Sequence, residues 1–295
     1  MSILNFPYLS ETDHIDTALR EKLSGNFVAL SNGYAHYELI GDKDAETVVL
    51  VHGFSVPNFI WNPTFRALTE AGYRVLRYDL FGRGYSDRPR TRYTIDLFVR
   101  QLADLLDTLD ITKPINLCGL SMGGAIATTF TARHPERVKK LALFDPAGSR
   151  AVSLGLKFKF ITLPGIGELL FGLFGDSILL KSMGADFYNP ELIQNFIEQY
   201  RPQMQYRGFK RAILSTLRNK MLGDFSANYR KVGETGIPVL LIWGREDKTV
   251  PYAHSRDVVA SIPHVRFHTI KNSGHIPHYE NADEVNPILL DFLKQ

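Results

Sequence analysis

The chain has 295 residues, 44% hydrophobic and 22% charged, a balance that excludes general disorder and suits one large α/β unit or two smaller domains. Its 34 Lys and Arg against 31 Asp and Glu leave a formal charge of +3, and without a dense basic run that excess is too small to argue for nucleic acid. A single Cys excludes an intramolecular disulfide framework and a cysteine-cluster metal site.

The opening MSILNFPYLSETDHID has no basic start, no sustained apolar stretch and no small-residue cleavage site. No run of about 18 apolar residues follows it. The expectation is a cytoplasmic protein. From residue 27 to 41, two β-prone runs flank Asn32-Gly33, a hairpin signal. TVVLVHG, 47–53, is a near-continuous apolar run ending in Gly, as expected of a strand buried on both faces. A helix is predicted over 61–71, a strand over 73–79, a helix over 97–109, a strand over 115–120, a helix over 122–134 and a strand over 141–145. After a long interruption, strands are predicted at 238–244 and 265–270, with helices near 253–262 and 283–293.

This alternation predicts a mostly parallel sheet with helices on both faces. Active sites of such sheets lie beyond the carboxyl ends of the strands. The interruption carries GLKFKFITLPGIGELLFGLFG and a further helix-like part over 190–222, with no evident strand. It reads as a mainly helical cap. The expected division is therefore a core of 1–146 and 232–295 with a cap of 147–231.

Gly119-Leu120-Ser121-Met122-Gly123 follows a predicted strand and opens a predicted helix. A nucleophile at such a sharp turn projects its hydroxyl outward, and the crowding demands small neighbours. A serine hydroxyl needs a base. His275, just after the last strand, is the first choice, and His278 is the rival three positions on. The imidazole needs an acid to fix its tautomer. Asp247 follows the penultimate strand; Asp145, after an earlier strand, is the runner-up, and the adjacent Glu246 is expected to point elsewhere. The order Ser121, Asp247, His275 is that of the nucleophile-elbow arrangement. A developing oxyanion calls for two backbone N–H donors, expected at Met122 and Phe54. His52 either ends its strand or, with Phe158, Phe171 and Phe174 of the cap, contacts substrate. The loop Asp79-Leu80-Phe81-Gly82-Arg83-Gly84-Tyr85-Ser86-Asp87 reads as structural.

With these motifs in place, the chain resembles the α/β-hydrolase superfamily from about Asn26 onward. The resemblance rests on His52-Gly53-Phe54, Asp79-x-x-Gly82-x-Gly84-x-Ser86, Gly119-x-Ser121-x-Gly123-Gly124, Gly244-x-x-Asp247 with Val250-Pro251, and Ser273-Gly274-His275. It is most similar to bacterial lipases and esterases and to monoacylglycerol-lipase-like enzymes. The resemblance implies the α/β-hydrolase fold, a Ser121–His275–Asp247 triad and a helical cap. Relatives with an aspartate nucleophile are set aside by Ser121. Relatives that cleave carbon–carbon bonds often have Trp after the catalytic His, where this chain has Ile276.

The expectation is hydrolysis of a carboxylic ester through an acyl-enzyme, without metal or organic cofactor. The apolar cap residues Phe158, Phe160, Leu163, Ile166, Leu169, Leu170, Phe171 and Phe174 either pack the cap down, line an acyl tunnel for lipid-like substrates, or touch a membrane surface. The alternative is carbon–carbon bond hydrolysis of a vinylogous diketone acid, with Arg201 or Arg207 as the cationic clamp for its carboxylate. A silent binding scaffold is the reading from another class, and an intact Ser, Asp and His set argues against it.

Overall fold

The computed structural model describes residues 8–152 and 161–295. Eight strands form one sheet in the order β1-β2-β4-β3-β5-β6-β7-β8. They are β1 (Asn26–Leu30), β2 (Gly33–Ile40), β3 (Thr47–Val51), β4 (Arg74–Tyr78), β5 (Ile115–Leu120), β6 (Val138–Phe144), β7 (Val239–Gly244) and β8 (Arg266–Ile270). The predicted hairpin closes with Leu30 opposite Gly33. β2 runs antiparallel to β4, and every pair from β4 to β8 is parallel. The sequence grows outward from β3 in one direction to β4 and then in the other to β5. That reversal opens a crevice at the strand ends.

Successive side chains of a strand point to opposite faces, and the core divides accordingly. Val49 and Val51 join a cluster with Leu102, Leu105, Phe130, Tyr229 and Val232. Val48 and Leu50 join another with Trp61, Phe65, Leu289 and Phe292. All residues of β3, β5 and β7 are buried, which is why they read as unbroken apolar runs.

β6 begins three residues before its expected start. Lys139 and Lys140 hide that start in the sequence, yet the Lys140 ammonium is buried and donates to the carbonyls of Phe292 and Leu293 at 3.1 and 2.6 Å. A cation is thereby spent on the final helix, Ala282–Lys294, at the end where its carbonyls lack intrahelical partners.

The inserted region is helical where described: Ile166–Met183, Ile193–Tyr200 and Phe209–Arg218. The next helix, Ser226–Thr235, falls mostly within the segment expected to be cap, but it belongs with the sheet. Its Tyr229 hydroxyl donates to Ala147 O at 2.7 Å, and Asn228 Nδ2 donates to Thr129 Oγ1 at 2.9 Å. The return to the core thus starts earlier than residue 232. Among the described residues, no helix is long and apolar enough to cross a membrane.

Candidate active site

Ser121 sits between β5 and the helix Met122–Arg133 with φ +53° and ψ −121°, a conformation that costs a non-glycine residue about 1–3 kcal/mol. Its surroundings hold it there. Ser121 N–H donates to Phe144 O at 3.0 Å, and its carbonyl accepts from Gly124 and Ala147, both at 2.9 Å. Gly123 is required by proximity: a Cβ there would lie 2.3 Å from Val51 O and 2.4 Å from His52 O. Its absence lets the new helix abut the end of β3.

That contact brings the His52–Phe54 turn beside the serine. A Cβ built on Gly53 would lie 3.7 Å from Ser121 Oγ. Among the described residues, the N–H groups of Phe54 and Met122 donate to no protein acceptor. Unspent donors at a helix start and in the turn beside a hydroxyl are groups that an anion could use.

After β7 and β8, Asp247 and His275 meet. Asp247 Oδ2 lies 2.8 Å from His275 Nδ1, while Oδ1 accepts the Thr249 and Val250 amides at 2.8 and 3.0 Å. Burial opposes a charge on the His275 ring, but the Asp247 carboxylate and its hydrogen bond, with help from Asp186, raise its pKa above the ordinary value. With Nδ1–H committed to Asp247, Nε2 carries the lone pair able to take a proton. Ser121, Asp247 and His275 are 5%, 6% and 4% exposed.

The rivals fall into other roles. His278 is buried against Trp61 and Phe144, with ring centroids at 4.2 and 5.5 Å. Burial with the nearby His275 lowers its pKa to about 3. Asp145 accepts the Gly244 amide at 2.9 Å. Its burial and the nearby Asp247 charge push its pKa well up, which disfavours a second negative charge beside Asp247. Glu246 turns to the Ser273 amide at 3.1 Å. One ligand atom each from Asp145, Asp247 and His275 lies within 4.8 Å of the others. That is a spacing a metal could use, but Asp247 and His275 already bind one another.

His52 differs from its expected substrate role. It accepts the Leu80 amide through Nε2 at 2.9 Å, and its Nδ1 lies 3.0 Å from Gly53 O. Burial lowers its pKa to about 4, so the ring is neutral and both nitrogens are spent on backbone. Phe171 is 1% exposed and packs in the core, while Phe174 on the same helix is 55% exposed. Leu163, Ile166 and Leu169 are exposed with it. Phe158 and Phe160 lie outside the described residues. The expected clamp residues Arg201 and Arg207 are both exposed at the surface, which corrects their placement in the pocket.

Two supports have no local motif. The backbone carbonyl of Asp186, beyond the helix Ile166–Met183, accepts the His275 amide at 2.7 Å. Glu11, in the N-terminal segment, accepts the Gly208 and Lys210 amides of the cap at 2.7 and 2.6 Å. Both join segments far apart in the chain, so no spacing in the sequence reports them.

A family model described as the alpha/beta hydrolase fold matches residues 46–282. The chain is 33% identical over 295 residues to 2-hydroxy-6-oxononadienedioate/2-hydroxy-6-oxononatrienedioate hydrolase 1 of Pseudomonas putida, covering 94% of this chain and 99% of that one. It is also 33% identical over 295 residues to 2-hydroxy-6-oxo-6-phenylhexa-2,4-dienoate hydrolase of Burkholderia cepacia, with the same coverage. Among solved structures it resembles the enol-lactonase from Burkholderia xenovorans, with a TM-score of 0.78 and 25% identity over 92% of this chain and 100% of that one. These full-length relatives overturn the expectation of a carboxylic ester or lipid hydrolase. The names of the two hydrolases give a 6-oxo dienoate or trienoate as the substrate of those proteins.

Proposed function

The chain belongs to the alpha/beta hydrolase family, and on that footing we propose that it hydrolyses a carbon–carbon bond in a 2-hydroxy-6-oxo-dienoate, the class of acid formed by ring fission. The observation that carries this reading is similarity along nearly the whole chain to hydrolases named for such substrates. Ile276, where carbon–carbon hydrolases often have Trp, is buried in the core cluster with Trp61 and Phe144.

In the proposed reaction the dienol first tautomerises: its 2-hydroxyl gives up a proton and the carbon next to the ketone takes one, giving a 2-oxo acid. Ser121 Oγ then attacks the ketone carbon, and His275 Nε2 takes the hydroxyl proton. Asp247 holds the ring and stabilises the imidazolium. The Phe54 and Met122 amides meet the oxyanion. As the tetrahedral intermediate collapses, the bond to the dienoate fragment breaks and its electron pair is delocalised into the 2-oxo group. His275 returns a proton, releasing the 2-hydroxydienoate and leaving an ester on Ser121. Water, activated by His275, frees the second acid.

The test compares kcat/KM on a ring-fission dienoate with kcat/KM on p-nitrophenyl butyrate, using Ser121→Ala as the control. The expected result favours the dienoate by at least about a hundredfold, equivalent to some 2.7 kcal/mol of transition-state discrimination. Turnover of the ester alone would overturn the proposal.

A further inference from the structure

The loop Asp79–Asp87 reads as structural in the sequence, but its contacts lead straight to the oxyanion donor. Arg83 is fully buried. Its Nε donates to Phe54 O at 2.8 Å, Nη1 to Phe81 O at 3.2 Å and Nη2 to Thr216 Oγ1 at 2.8 Å. Phe54 supplies a proposed oxyanion N–H, and Thr216 belongs to the cap helix Phe209–Arg218. Its hydroxyl in turn donates to Ala212 O at 2.8 Å. One side chain therefore ties the oxyanion turn to the cap.

A second tie runs in parallel. Gln203 of the cap is buried. Its Nε2 donates to Ser55 O at 2.9 Å, and its Oε1 accepts the Gly84 amide at 2.9 Å. The carbonyls of two consecutive residues, Phe54 and Ser55, are thus each held by a side chain. The cap seats tightly here. Gly82 has φ +84°, and a Cβ on it would lie 2.5 Å from the Ala212 Cβ.

Arg83 also brings charge. Among the described residues no carboxylate pairs with it. The guanidinium is instead stacked 5.5–5.9 Å from the ring centres of Phe54, Tyr93 and Phe98. Burial lowers its pKa to about 10, which leaves it cationic at neutral pH. Burying an unpaired cation is costly, and packing alone would be met more cheaply by an apolar side chain.

We propose that Arg83 and Gln203 are positioning residues that make the Phe54 oxyanion donor competent when the cap is docked. Arg83 holds the Phe54 carbonyl, Gln203 holds the Ser55 carbonyl, and both are anchored on the cap side. The Phe54 N–H keeps its aim while these two carbonyls are fixed, and the unpaired guanidinium behind the turn favours negative charge in front of it. This inference rests on the oxyanion assignment and is independent of which substrate the enzyme takes.

The test is covalent inactivation by a fluorophosphonate, whose phosphoryl oxygen occupies the oxyanion position as Ser121 attacks. It needs a reactive Ser121 but no carbon–carbon substrate, so it succeeds or fails separately from the proposed function. Gln203→Met keeps the side chain's bulk and loses both hydrogen bonds. Thr216→Val loses the acceptor for Arg83, and Thr216→Ser keeps it. Gln203→Met and Thr216→Val are expected to lower the limiting inactivation rate about tenfold, with reagent affinity within about twofold. This is smaller than the hundredfold or more seen when an oxyanion donor is removed outright. Thr216→Ser is expected to stay near wild type. A merely structural role would lower the melting temperature without moving the limiting rate. An unchanged rate in folded Thr216→Val, or an equal loss in Thr216→Ser, overturns the proposal.

Discussion

His275 Nδ1 lies 2.8 Å from Asp247 Oδ2, and this contact decides which nitrogen of the ring can act as base. An Asp247→Asn variant keeps the shape of the pair but can hold the ring in the wrong tautomer. We predict that kcat falls about ten-thousandfold, while circular dichroism and the melting temperature stay close to wild type. A loss under tenfold would move the acid role to another carboxyl, and Asp145, beside Asp247, is the one to replace next.

The same contact sets the pH profile. Burial opposes the imidazolium, but Asp247 and Asp186 raise the His275 pKa above its ordinary value. The base acts when deprotonated, so kcat/KM should fall as pH drops through a value above about 6.5, the ordinary imidazole pKa. Replacing Asp186 with Asn removes part of the raising field and should shift this limb to lower pH. A limb at or below the ordinary value in the wild type would show that the Asp247 field is not felt by the base.

Ser121 holds a backbone conformation at φ +53° that suits glycine. Replacement by Gly releases strain, against a loss of about 0.5–1 kcal/mol from added chain freedom. We predict that Ser121→Gly is inactive and unfolds at higher denaturant than Ser121→Ala, by about 1 kcal/mol. Equal midpoints would mean that the strain stored at the elbow does not exceed that loss of about 0.5–1 kcal/mol.

His36 and Asp79 form a second buried pair at 2.8 Å. His36 Nε2 also meets Ser24 O at 2.9 Å, and the Asn58 side-chain amide lies 3.3 Å from Nδ1. Burial opposes both charges. The partner nevertheless raises the His36 pKa and lowers that of Asp79. The His36 contribution is complete below its unfolded pKa and fades as pH rises through the raised folded value. The Asp79 contribution is present above its unfolded pKa and fades as pH falls through the lowered folded value. His36→Gln should cost about 3–5 kcal/mol where both are charged and flatten the alkaline decline in stability. Urea midpoints across pH measure this, and an undiminished alkaline decline in the variant would assign it elsewhere.

What could be read from the sequence follows from what is local. The buried strands announce themselves as apolar runs, and the Ser121 elbow as small residues between a strand and a helix. Asp247 and His275 stand at strand ends and are found the same way. Lys140 misleads because its partner carbonyls are about 150 residues away. Asp186, Gln203 and Arg83 meet their partners across segments far apart in the chain, so no local spacing reports them. The substrate is hidden for a chemical reason: up to the acyl-enzyme, Ser121, His275 and Asp247 do the same work for an ester and a ketone. The leaving group is where the two substrates differ, and those three residues do not report it.

The most direct measurement is product analysis by mass spectrometry after turnover of a 2-hydroxy-6-oxo-dienoate in heavy-oxygen water. Cleavage through Ser121 predicts two acids, a 2-hydroxydienoate without label and a second acid carrying label in the carboxyl formed from the ketone carbon. Recovery of intact dienoate, by an enzyme whose Ser121 still reacts with a fluorophosphonate, would contradict carbon–carbon bond hydrolysis.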